Sequence, residues 1–137
     1  MNSLKDYILV IDDDLNISTF IEKALTARGH VAKIAQSGEH IFTILGESPP
    51  KIVLLDINLP WIQGDKICKI IKKNHPEIKV IIMSGREFDD IRKKSEDNGA
   101  DAFFQKPFNI HELFYIVEQF TDPKPTKEKD DSHIRRF

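Results

Sequence analysis

Lys51-Ile52-Val53-Leu54-Leu55-Asp56-Ile57-Asn58-Leu59-Pro60 is the stretch on which the reading of the chain turns. Its apolar core is short and rich in branched residues, which fits a strand buried on both faces, as in a parallel sheet lying under helices. The run ends in an aspartate. Leu59-Pro60 and then Gly64 punctuate the residues after it, so the chain leaves the sheet in an irregular loop with Asp56 at its mouth. Taken alone, Asp56 reads equally well as a turn or helix cap. The other strand ends decide between cap and site.

Upstream, Tyr7-Ile8-Leu9-Val10-Ile11 is a first apolar strand, and it stops at Asp12-Asp13-Asp14. Ile17, Phe20, Ile21, Ala24 and Leu25 then recur at helical spacing, closed by Arg28-Gly29. Val31 to Ala35 alternates weakly and predicts an edge strand; Ser37 caps a helix carrying Ile41, Phe42, Ile44 and Leu45. Downstream of Asp56, a helix on Ile67, Ile70 and Ile71 is ended by Asn74-His75-Pro76, since a residue before proline leaves helical angles. Lys79 to Met83 is a fourth strand stopping at Ser84-Gly85. Arg86 to Asn98 predicts a helix with a weak grip on the core, because only Phe88 and Ile91 form an apolar face among many charges. Gly99-Ala100-Asp101 turns into a fifth strand, Ala102 to Gln105, which finishes at Lys106-Pro107. Asn109 caps a last helix with Leu113, Phe114, Ile116, Val117 and Phe120 inward. Residues 122–137 carry Pro123, Pro125 and mixed charge, and are expected to be a solvated, disordered tail beyond one domain of residues 1–121.

Five strand-then-helix units make an α/β domain, a parallel sheet covered on both faces, because successive parallel strands need right-handed crossovers. The 137 residues suffice for one domain with a core. With 40% hydrophobic and 31% charged residues, the composition is that of a soluble protein. No apolar run is long enough to span a bilayer, and the first residues lack a signal peptide's pattern, so a cytoplasmic location is expected. Cys68 is the sole cysteine, which removes disulfides and thiolate zinc sites, and the five histidines have no metal-binding spacing. A net charge of −2 argues against a general nucleic-acid surface.

Ligands bind such sheets at the carboxyl ends of the strands. Four polar clusters lie at four such ends: Asp12-Asp13, Asp56, Ser84 and Lys106. Each has a bland alternative as a cap or turn, but their joint placement favours a site. Carboxylates held close repel one another unless they share a hard divalent cation, for which Mg²⁺ is the first choice. Mg²⁺ keeps waters and takes phosphate oxygens, Lys106 adds a point charge, Ser84 a hydroxyl donor, and a carboxylate not fully used by metal can attack phosphorus.

Ile11-Asp12-Asp13-Asp14, the Asp56 to Pro60 run with Gly64, Ser84-Gly85, Phe103 and Lys106-Pro107-Phe108 together resemble the receiver domains of two-component response regulators. The resemblance covers about Tyr7 to Phe120. It implies a flavodoxin-like (βα)5 fold with strand order 2-1-3-4-5. It further implies that Asp56 accepts a phosphoryl group from a sensor histidine kinase or a histidine phosphotransfer protein. Asp13 and Asp56 would bind Mg²⁺ by side chain, Asp12 through water and Asn58 through its backbone carbonyl, while Ser84 and Lys106 grip the phosphoryl oxygens. The Lys106-Pro107 bond is expected to be cis. Departures are Ser84 in place of the commoner threonine, Gly85 in place of alanine, and Phe103 at the switch aromatic, where tyrosine is also common. Trp61 is expected beside Asp56.

The mechanism expected from the resemblance is that phosphorylation draws Ser84 inward and Phe103 fills the vacated space, changing the face formed by the fourth helix, fifth strand and fifth helix. Output would come through a protein partner there, without direct nucleic-acid contact or membrane insertion, as a stand-alone regulator or phosphorelay intermediate. Such a protein is a signalling phosphoprotein that catalyses only its own phosphorylation and dephosphorylation. Two alternatives stand beside this. A receiver-like adaptor would bind partners unphosphorylated. A Mg²⁺-dependent phosphohydrolase of the haloacid dehalogenase type would need a second acid two residues after Asp56, where the chain has Asn58.

Overall fold

A computed structural model describes residues 4–35, 38–60, 62–85, 88–121 and 134–137. The elements are β1 (Lys5–Ile11), α1 (Leu15–Ala27), β2 (Ala32–Ala35), α2 (Gly38–Glu47), β3 (Pro50–Asp56), α3 (Gly64–Asn74), β4 (Lys79–Ser84), α4 (Phe88–Asp97), β5 (Ala102–Gln105), α5 (Ile110–Glu118) and β6 (Ile134–Arg136). The sheet runs β2-β1-β3-β4-β5-β6, with its first five strands parallel. This is the flavodoxin-like α/β order expected, extended by one antiparallel strand.

Alternation along each strand divides the core in two, since successive side chains point to opposite faces. Leu9, Ile11, Val53, Leu55, Val80, Ile82 and Phe103 pack with Ile41 and Leu45 of α2 and Ile67, Cys68 and Ile71 of α3. Ile8, Val10, Ile52, Leu54, Ile81, Met83 and Phe104 pack with Ile21, Ala24 and Leu25 of α1 and Leu113, Ile116 and Val117 of α5. Both faces of the sheet are thereby covered, which is why β1, β3 and β4 read as unbroken apolar runs. Phe20 and Phe42, although at helical spacing with core residues, are 46% and 45% exposed. Each sits at the margin of its helix's apolar stripe.

The helix boundaries follow the expected chemistry. Asp14 caps α1, accepting from the N–H groups of Asn16 and Ile17 at 2.9 and 3.4 Å. Gly29 ends it at φ +101°, a left-handed angle that glycine adopts without a side-chain clash. Asn109 caps α5 in a reciprocal box with Glu112: Glu112 N–H donates to Asn109 Oδ1 and Asn109 N–H to Glu112 Oε1. Ser37, Trp61 and Arg86 fall outside the described residues, as do the side chains of Phe88 and Ile91.

The expectation of a solvated tail from residue 122 to 137 fails at its end. Residues 122–133 lie outside the described residues, but Ile134, Arg135 and Arg136 pair with Phe104, Phe103 and Ala102 of β5. Ile134 is buried in the α1/α5 core and Phe137 packs against the α2/α3 core. The mixed charge and prolines before it hid this strand; a single apolar residue on each face is too weak a periodic signal to read.

Among the described residues no helix is long and apolar enough to cross a membrane.

Candidate functional site

The carboxyl ends of β1, β3 and β5 deliver four charged side chains to one spot. Asp56 is the last residue of β3, and Asp12 directly follows β1. Register fixes their neighbourhood: β1 and β3 are adjacent, with Ile11 opposite Leu55, and β3 pairs with β4 through Asp56 opposite Met83. Carboxylate oxygens of Asp12, Asp13 and Asp56 all lie within 4.8 Å of one another, Asp12 and Asp56 buried and Asp13 exposed. Lys106, just past β5, places its Nζ 2.6 Å from Asp12 Oδ2 and 3.6 Å from Asp56 Oδ2. Among the described residues, three acids therefore face one ammonium.

The consecutive acids Asp12, Asp13 and Asp14 divide their work. Asp14 is the cap, so the capping alternative holds for it. Asp12 turns into the site, where its Oδ1 also accepts the Asp14 N–H at 3.0 Å. Ser18, buried in α1, donates its hydroxyl to the Asp12 backbone carbonyl at 2.7 Å and ties the helix to the strand end. Ser18 was missed in the sequence, although a serine on the buried stripe between Ile17 and Ile21 is the signal that marks it.

Burial is the main force on Asp56, and it raises the carboxyl pKa to about 6. The Asn58 N–H, donating to Asp56 Oδ1 at 3.1 Å, and the Lys106 charge act against burial, while Asp12 and Asp13 add to it. An acid in this position gains from any cation brought beside it. The described donor set, three carboxylates and no sulfur or imidazole, is that of a hard oxygen-seeking ion.

Gly64 closes the loop after Asp56. Its N–H donates to the Ile57 carbonyl at 2.9 Å. A Cβ placed there would clash with the Asp56 carbonyl oxygen and come within 2.7 Å of Ile57 Cα. Only glycine lets the first turn of α3 pack against the backbone of the site.

Ser84 ends β4 fully buried, opposite Gln105 in register, and its carbonyl accepts the Lys106 N–H at 2.8 Å. The Lys106-Pro107 bond is cis. Asn58 is exposed beside the loop and meets Asp56 through its own N–H. Phe103 lies three residues before Lys106 and is fully buried. At the expected output face of α4, β5 and α5, the outer edge of β5 is paired with β6.

Residues 8–118 match the family model of the response regulator receiver domain. The chain belongs to this family. The receiver domain is 30% identical over 115 residues to the DNA-binding transcriptional regulator NtrC of Proteus hauseri, covering 84% of this chain and 24% of NtrC. It thus spans about a quarter of that relative's length. Among solved structures it is similar to a CheY-like receiver domain protein of Methanospirillum hungatei (TM-score 0.77, 28% identity, covering 85% of this chain and 93% of that one). It is also similar to the BeF3-activated receiver domain of DrrB, a protein of Thermotoga maritima (TM-score 0.78, 33% identity, covering 87% and 99%). Receiver domains are signalling domains, and this one carries an acidic cluster able to hold a metal ion.

Proposed function

We propose that this receiver domain is a phosphorylation switch of a two-component phosphorelay, with Asp56 the phosphoacceptor. The observation that carries the reading is the meeting of three carboxylates within 4.8 Å with the Lys106 ammonium at the strand ends. Asp12, Asp13 and Asp56 suit Mg²⁺, with the Asn58 carbonyl completing the protein's share. Bound there, Mg²⁺ would neutralise phosphoryl charge.

The chain's own residues do the rest. Asp56, held at Oδ1 by the Asn58 N–H, attacks phosphorus: a P–O bond forms, and the donor's P–N bond breaks with its electron pair on the imidazole nitrogen. Lys106 supplies positive charge to the phosphoryl oxygens and Ser84 a hydroxyl. The donor is a histidine kinase or a histidine phosphotransfer protein. Its approach is supported by an apolar groove of about 520 Å³ beside Lys106, lined by Ile17, Phe20, Pro107 and Phe108. The protein acts by changing partners rather than by turning over a substrate, in the cytoplasm, through a surface that includes α4, β5 and α5. The similarity to a receiver domain solved in a BeF3-activated form supports the same chemistry here.

The test is beryllofluoride with Mg²⁺, followed by amide exchange at Asn58 and Lys106 and by fluorescence of Trp61, the only tryptophan. Saturable, Mg²⁺-dependent change that is lost in Asp56→Asn is expected. Saturation undiminished in that variant would reject Asp56 as the acceptor, and the absence of any Mg²⁺ binding would leave an adaptor.

A further inference from the structure

The strand β6 takes no part in the phosphoryl site, yet its contacts are specific. It lies on the outer edge of β5, a strand of four residues that also leads directly to Lys106. Phe103 sits opposite Arg135, so the two side chains share a face, as opposed residues of an antiparallel pair do. On that same face Phe137 packs against the core cluster containing Phe103, and its N–H donates to the Asp101 carbonyl at 2.9 Å. On the other face Ile134 is buried opposite Phe104. Arg136 lies 5.4 Å from the centre of the Phe120 ring and donates from Nη1 to Gln119 Oε1 at 3.3 Å. Residues 134–137 therefore grip β5 from both faces and reach the end of α5.

That placement bears on Phe103. An aromatic ring on an uncovered edge strand can leave the core past the sheet edge, whereas here the edge is filled by backbone, Arg135 and Phe137. The ring is fully buried. β5, which carries the ring and pairs with β6, also leads directly to Lys106, whose ammonium spans Asp12 and Asp56 and whose N–H bonds to the Ser84 carbonyl.

We propose that docking of residues 134–137 on β5 and loading of Asp56 favour one another, so that β6 is a built-in strand that presets the switch by keeping Phe103 inward. This rests on Asp56 being the phosphoacceptor. Coupling between two sites is reciprocal, so it shows from either end. In the full-length protein, Mg²⁺ with beryllofluoride slows exchange of the Phe137 amide, and Ile134→Asp or Phe137→Ser raises the beryllofluoride concentration for half-saturation, each by about fivefold or more. The exchange measurement on the unaltered chain decides the matter even where a variant folds poorly. If beryllofluoride protects Asn58 and Lys106 but leaves the Phe137 amide unchanged, the coupling is wrong and the phosphoacceptor stands. If beryllofluoride changes no amide at all, the phosphoacceptor reading falls and the coupling falls with it.

Discussion

The two ends of this sheet are built on opposite electrostatic plans. At the carboxyl ends of the strands, Asp12, Asp13 and Asp56 crowd around one lysine, and burial drives the Asp56 pKa up to about 6. At the amino ends Glu118, Asp6 and Asp101 each have a matched partner. Glu118 takes two bonds from the Arg28 guanidinium at 2.9 Å and one from His30 at 2.9 Å. Asp6 pairs with Lys51. Asp101 accepts the Val80 N–H at 2.8 Å and the Lys72 ammonium at 2.9 Å, while the same ammonium donates to the carbonyl of Ile78 at 2.8 Å. The Glu118 carboxyl is accordingly held below its ordinary range, first by Arg28, against burial, with His30 assisting. Among the described residues, the acids at the amino end are each matched by a cation, whereas three acids at the carboxyl end share the Lys106 ammonium.

The largest effect that could break this contrast is at Asp56. Asp56→Asn should abolish phosphoryl acceptance from a phosphoramidate donor, a loss of about 100-fold or more in incorporated acid-labile phosphate. The same variant should be more stable than the parent at pH 7.5. A folded pKa above the unfolded one means that the native state binds the extra proton between the ordinary value of 3.8 and about 6. Stability from this group is present at low pH and is lost as pH rises through about 6, so above that the ionised, buried Asp56 costs on the order of 1–3 kcal/mol. Thermal melts should show the variant's advantage at pH 7.5 shrinking toward pH 4. An advantage that did not change with pH would remove the carboxylate's ionisation as its cause.

Next in size is Gly64→Ala, expected to cost about 2–4 kcal/mol in denaturant unfolding, since the new methyl meets the backbone of Asp56 and Ile57 and cannot rotate away. A cost under about 0.5 kcal/mol would show that the loop after Asp56 yields freely and is not held by this contact. A smaller change should come from Mg²⁺. Saturating cation should stabilise the parent by about 1–3 kcal/mol at pH 7.5 and Asp56→Asn by much less, because binding to the folded state alone shifts the equilibrium by mass action. Equal stabilisation of both proteins would place the cation elsewhere.

These two ends were not equally legible in the sequence. Asp12, Asp13, Asp56, Ser84 and Lys106 each follow an apolar run, and a parallel sheet gathers strand ends at one edge, so pattern and topology together pointed to the site. The five strands and most core residues came from the same apolar patterning. The amino-end pairs left no such trace: Glu118 and Arg28 are ninety positions apart in the bond they make, and a glutamate near a helix end looks like any solvated charge. Asp101 read only as part of a turn. β6 escaped because three residues with two arginines resemble a tail until β5 offers them an edge. Local patterns report burial and caps, whereas partnerships between distant charges appear only once the fold brings them together.

The smallest test concerns Glu118, and it probes whether the amino end is as fully satisfied as its distances imply. Its carboxyl is depressed below the ordinary value of 4.5, so the unfolded chain binds the extra proton as pH falls from there. The pair's stability is present above about 4.5 and is lost as pH falls through the folded value. Glu118→Gln should cost about 1 kcal/mol at pH 7, no more, because the Arg28 side chain is half exposed at 51% and water screens the attraction. The deficit should narrow as melts are repeated below pH 4.5, the reverse of the trend for Asp56→Asn, whose advantage grows as pH rises. Two substitutions of an acid by its amide, at opposite ends of one sheet, would then move stability in opposite directions at neutral pH. Should both destabilise at pH 7.5, the carboxyl end would be a supporting ion-pair network like the other, with Lys106 sufficient for its three acids and no need of a cation.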